Sequence, residues 1–260
     1  MISVVQTDLI VTGGVLKFLL PLNLKVQEGD ATVVLVTWSG TATITGVVDT
    51  NNNLYVPGPT ANIGSGSSQV NVAIFYCLSV TIFTDPFIVA TITFSAPALV
   101  VFAGFLDLNG ATNAVALDST ATGHRSFVGG SDTTTPNITI TITNPFEVLI
   151  AVVRTPGMPP TITPNSGWTE VSGSVGRVGV FYQTMGSVTG SYNASPCTLG
   201  SSVDSILAII GFSAPTLLTV GTIFAPRFPD TSSPRLADYL YDSLQGDPTF
   251  VSNPIGPQPF

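Results

Sequence analysis

Charge is what this chain has least of. Only 8% of its 260 residues are Asp, Glu, Lys or Arg, against about 25% in ordinary soluble domains. The cations number seven, five Arg and two Lys, and they are scattered along the chain. Binding nucleic acid without regard to sequence needs cations clustered against phosphates, so that function is not expected. Histidine occurs once, as His124, in the polar stretch Thr122-Gly-His-Arg-Ser, which reads as a turn. A Ser-His-Asp or Cys-His set would have to run through it, and a loop histidine is the plainer expectation. The two cysteines, Cys77 and Cys197, lie far apart. Together with one histidine they lack the spacing of a zinc site. They could pair, but nothing requires it, and two small buried strand residues are expected instead. Long apolar runs are missing too. Ala98 to Leu106 and Ile206 to Phe212 fall short of the ~20 residues of a spanning helix. The opening MISVVQTDLIV has neither a basic region nor an apolar stretch of the kind a signal peptide carries.

What remains is apolar and small. Mean hydropathy is +0.48 and net charge −8. Apolar excess of this size has to be buried in a core or against other chains, and so few charges protect a free monomer poorly from association. Assembly with other copies is therefore expected. Thr, Ser, Val, Ile and Gly dominate, and several segments alternate with period two. Ile138, Ile140 and Ile142 oppose Thr139, Thr141 and Thr143; Ile88, Ala90, Ile92 and Phe94 oppose Val89, Thr91 and Thr93. This is the pattern of half-buried strands. Further strands are predicted at Val15–Val26, Thr32–Trp38, Ala42–Val48, Val70–Leu78, Leu99–Gly104, Val148–Val153, Arg177–Gln183 and Ser205–Phe212. Turn clusters separate them, among them Asp49-Thr-Asn-Asn-Asn and Gly64-Ser-Gly-Ser-Ser. Many short strands at regular spacing predict an all-β antiparallel sandwich over residues 1–214, large enough to be stable without disulfides.

The composition changes at Pro215. Residues 215–260 hold eight of the twenty prolines, and proline cannot donate to a central ladder. The segment is predicted to be an extended arm with one short helix. Ser233 suits the N-cap and Pro234 the first helical position. Leu236, Leu240 and Leu244 then share a face, with Tyr239 and Tyr241 beside them, and Gly246 ends the helix. A helix so short needs a surface to dock on, so these residues are the candidate contact with a neighbouring subunit.

Other candidates are weaker. Asp49, Asn51 and Asn53 stand at positions 1, 3 and 5 of a calcium-type loop, but Leu54 replaces its glycine and Thr60 its acidic closer. A tight hairpin is the alternative. The fifteen acids are thinly spread, with no evident pair for glycosidase chemistry. Gly64-Ser-Gly and Gly173 to Gly179 lack the lysine and the following helix of a phosphate loop. Trp168 and Tyr182 are candidates for stacking on a sugar ring. Trp38 could stack in the same way, but tryptophans this close to strand ends are expected rather as core anchors, Trp168 included. No catalytic set, metal or cofactor is expected.

Trp38, the run Val48-Asp-Thr-Asn-Asn-Asn53-Leu-Tyr55, Val72 to Tyr76, Thr91-Ile-Thr-Phe94 and Gly104-Phe-Leu follow one another in the first half. Thr163-Pro-Asn-Ser-Gly-Trp168-Thr, Tyr182, Gly190-Ser-Tyr192 and Ile206 to Phe212 come after them. In this order they resemble a jelly-roll-type β-sandwich module of bacterial surface proteins and phage virion proteins. The resemblance implies fold more than function, since such modules serve as structural, adhesive and carbohydrate-binding units. With the low charge and the arm, it leads to the expectation of a non-enzymatic virion protein of a tailed phage, a capsid decoration (cement) protein or a neck or tail fibre component. Its partners would be copies of itself, as a trimer, and other virion proteins. The alternative is a carbohydrate-binding or adhesin module with a glycan as ligand.

Overall fold

The apolar excess goes into strands that are covered on both faces. The computed structural model describes residues 3–4, 9–12, 14–82, 87–109, 116–117, 123–127, 138–145, 147–157, 161–171, 177–201 and 203–213. The helix predicted for the arm, with Leu236, Tyr239, Leu240, Tyr241 and Leu244, lies outside them. The first half contributes β1 (Ser3–Val4), β2 (Leu9–Thr12), β3 (Val15–Lys25), β4 (Ala31–Ser39), β5 (Ile44–Asp49), β6 (Val56–Ile63), β7 (Val70–Cys77) and β8 (Phe87–Asn109). All paired strands are antiparallel. The sheet order is β8-β4-β7-β6, with β1 and β2 on the far side of β8.

Strand β8 joins two sheets. Two separate strands are predicted here, at Ile88–Phe94 and Leu99–Gly104; the structure has one strand of 23 residues. Its first part pairs with β3 and β5, and its second with β4, β1 and β2. The change of partner falls around Val100, which takes the left-handed region at φ 44°. A strand that turns such a corner closes one end of a sandwich.

The second half contributes β9 (Ala116–Leu117), β10 (Gly123–Phe127), β11 (Ile138–Ile142), β12 (Val148–Arg154), β13 (Ile162–Pro164), β14 (Thr169–Glu170), β15 (Val178–Thr184), β16 (Gly190–Ala194), β17 (Cys197–Leu199) and β18 (Ser205–Ser213). The expectation of a turn at His124 is corrected: His124 is in β10, paired with Ala208 of β18. Polar composition alone misleads there, because a strand needs only a ladder partner to satisfy its backbone.

The two halves repeat one topology. The order β18-β12-β15-β14, with β9 and β10 beyond β18, matches β8-β4-β7-β6 with β1 and β2 beyond β8. The outer pairs β11–β16 and β13–β17 match β3–β8 and β5–β8. Register aligns as well. Tyr76 faces Val33 and Val56, while Tyr182 faces Ile150 and Thr169. Val72-Ala-Ile-Phe-Tyr76 therefore superposes in register on Val178-Gly-Val-Phe-Tyr182.

Three cores separate four layers of strand. Val33, Leu35, Ile74 and Tyr76 of the first half share the central core with Ile150, Val152, Val180 and Phe212 of the second. Phe18, Leu20, Ile88 and Ile92 cover the other face of the first sheet, against Val34, Val36 and Phe75. Ile138, Ile140 and Ile142 cover the other face of the second, against Leu149, Phe181 and Leu207. Residues of the central strands are thus buried on both sides: β12 and β18 are buried along their whole length. Outer strand β11 keeps the alternation read from its sequence, isoleucines in and threonines out.

Candidate functional site

The first half opens on a cleft of about 390 Å³, lined by residues of β4 to β7 and the segment that follows β4. Its volume falls in the ~300–1,000 Å³ range of small-molecule sites. Trp38, Tyr55 and Phe75 supply apolar surface; Thr43, Thr45, Thr60, Asn62, Gln69 and Asn71 supply polar groups. The walls are fixed by internal hydrogen bonds. Trp38 Nε1 donates to Ala42 O at 2.6 Å, and the indole stands edge-on to Phe94 with centroids 5.8 Å apart. Asn71 Nδ2 donates to Gly40 O at 2.8 Å, and Asn71 Oδ1 accepts from Gln69 Nε2 at 2.7 Å. Asn71 is a lone polar residue in the apolar run of β7, which is the sequence signal that marks this wall.

Among the described residues, Tyr55 is the one titratable group lining the cleft. Its hydroxyl accepts from Thr32 Oγ1 at 2.9 Å and donates to Asp49 Oδ2 at 3.3 Å. Burial raises its pKa well above the ordinary tyrosine value, with the Thr32 bond acting the other way. The phenol is thus neutral at ordinary pH, and the described lining presents mainly threonine hydroxyls and side-chain amides.

Behind it lies the Asp49 turn. Asp49 Oδ1 accepts from the backbone N–H of Asn51 at 2.9 Å and of Asn53 at 3.0 Å, and Oδ2 accepts from Asn53 Nδ2 at 2.9 Å. Asn52 takes φ 62°, a conformation asparagine tolerates better than most residues. The carboxylate oxygens that a calcium ion would need are already occupied by N–H and O–H donors. Among the described residues no group of three or more His, Cys, Asp or Glu is arranged to hold a metal.

The two stacking candidates do not come together. Trp168 is only 6% exposed and lies in the outer core of the second half. Tyr182 packs, half-buried, on the central core across the sheet from it. Neither cysteine forms a disulfide; Cys77 packs against the outer core of the first half and Cys197 lies within that of the second.

No family model, no curated protein and no solved structure matches the chain.

Proposed function

We propose that this chain is a non-enzymatic structural subunit of a virion, of the capsid-decoration or neck and tail-fibre kind, that acts by packing against copies of itself and against other virion proteins. The observation that carries this reading is the duplicated sheet topology. Two copies of one strand topology share a single central core, which makes a stiff block rather than a hinged pair of domains. Large apolar side chains stay outside on it: Leu19 is 63% exposed, Leu16 49% and Leu99 45%. Such residues, in a chain with 8% charge, favour burial against neighbours. The jelly-roll resemblance and the proline-rich segment 215–260 supply the virion class and the arm.

Light scattering on the purified chain, with and without residues 215–260, tests it. A discrete oligomer, a trimer in this reading, should fall to monomer on truncation, and Leu240→Asp should do the same. A monomer in both forms removes the structural reading. The second reading, a glycan-binding module, is favoured by the polar rim of the Trp38 cleft rather than by Trp168 and Tyr182. Saturable binding on a glycan array, lost in Asn71→Leu, would replace the first reading with it.

A further inference from the structure

Arg154 is the bulkiest of the fully buried side chains, at 1% exposure. It ends the inward row Val148, Ile150, Val152 of β12, so its guanidinium enters the space between the central sheets. There it lies over the face of Phe102, 4.5 Å from the ring centroid. Nη2 reaches Ser39 Oγ at 3.5 Å, the long limit of a hydrogen bond. Nε and Nη1 are buried and meet no acceptor among the described residues. The neighbouring charge that acts on it has the same sign: Arg177, half-buried, one residue before β15. Burial first, and Arg177 second, lower the Arg154 pKa to about 10, which leaves it ionised at neutral pH.

Among the described residues Arg154 meets no counter-charge; a buried cation so placed is among the costliest arrangements in a fold, and the ring face of Phe102 offsets only part of that cost. The fold itself does not call for a cation here. Thr37 pairs with Val72 and Phe102 where Arg154 pairs with Val178 and Ile206, so the first half places a threonine at the same register. With only seven Lys and Arg in the chain, the juxtaposition of two of them, one buried, needs a different reason. A planar guanidinium with unused N–H donors matches an oxyanion.

We propose that Arg154 and Arg177, with the Ser39 hydroxyl, form a binding site for one small oxyanion, a phosphate or carboxylate group, at the junction of the two central sheets. Ser39 and Arg177 are both partly exposed, and the ligand enters on their side. The buried guanidinium supplies the charge, Arg177 a second contact, and Phe102 holds the plane of Arg154 in place.

The test is calorimetric titration of the full chain with inorganic phosphate, at an ionic strength held constant with chloride. Saturable binding is expected, lost in Arg154→Met and weakened at least ~10-fold in Arg177→Gln. Acetate separates the two groups: saturation by phosphate alone assigns a phosphate, saturation by acetate as well a carboxylate, and saturation by neither overturns the site. Thermal melts provide the second reading. Phosphate should raise the Tm of the wild-type chain and not that of Arg154→Met. An equal rise in both is the general action of a structure-making salt and overturns the site. Where Arg154→Met does not fold, unchanged phosphate affinity in Arg177→Gln does so as well.

Discussion

Tyr55 and Trp168 occupy the same place in the two halves of the chain. Each immediately precedes the residue that pairs with the tyrosine of the next long strand, Val56 with Tyr76 and Thr169 with Tyr182. Each is 6% exposed. One aromatic residue at the start of the edge strand therefore plugs each outer core. Trp168→Ala should destabilise the chain by about 3–5 kcal/mol. Trp168→Tyr, which installs the residue used in the first half, should cost much less. Urea denaturation of the two variants measures the difference.

Asp49 organises the β5–β6 turn through the N–H groups of Asn51 and Asn53. Asp49→Ala would strand those buried donors together with the Tyr55 hydroxyl, at a cost of roughly 2–4 kcal/mol. Chelation of divalent ions should leave the melting temperature of the native chain unchanged, because its carboxylate is filled by protein donors. A fall in Tm with EDTA would show a cation at the turn after all.

Asp107 gives the stability a pH dependence. It is 2% exposed, and its Oδ1 meets no hydrogen-bond partner among the described residues. Burial first, and the Asp30 carboxylate second, raise its pKa to about 7, against about 3.9 unfolded. Between these values the folded chain keeps a proton that the unfolded chain has released, so stability falls as pH rises through this window and levels off above it. Calorimetry at pH 5 and pH 8 should show the wild type losing stability, and Asp107→Asn losing less.

Close approach of β6 to the second half rests on a missing side chain. A methyl group on Gly58 would stand 3.0 Å from the carbonyl oxygen of Ile74 and 3.1 Å from Cδ1 of Ile210. Gly58→Val should destabilise by about 1–3 kcal/mol, and Gly58→Ala by less. Equal Tm values for Gly58→Val and wild type would mean that the sheets there are more loosely packed than the distances imply.

Much of this fold is written locally. Outer strands such as β11 are legible because one face is wet, and central strands such as β18 because they are apolar throughout. What escaped reading did so for identifiable reasons. Pro57, Gly58 and Pro59 look like loop, yet β6 lies at the end of the sheet order, where proline leaves no ladder bond unmade. Pro97 looks like a break in β8, and it falls in a register shift of the β3 ladder, between the pairings of Thr93 and Ala98. The cleft was not legible, because its walls are drawn from residues between Trp38 and Phe75 that only the folded sheet brings together. Nor was the buried Arg154 legible as a site, since its neighbours Ser39 and Phe102 are distant in sequence.

The repeat is written in the sequence only as Val-Ala-Ile-Phe-Tyr and Val-Gly-Val-Phe-Tyr, and its meaning lies in the central core. There Val33, Leu35, Ile74, Tyr76, Leu106 and Leu108 share one core with their register equivalents Ile150, Val152, Val180, Tyr182, Ile210 and Phe212. The halves do not meet as twofold mates would: β6 and β7 lie close to β18, and β7 to β12, whereas β14 and β15 make no such approach to β8 and β4, so the contact is heterologous. Equivalent strands of the two halves therefore have unlike neighbours across the shared core. Copies in unlike surroundings have no need to stay identical, and one has Thr37 at the register where the other has Arg154.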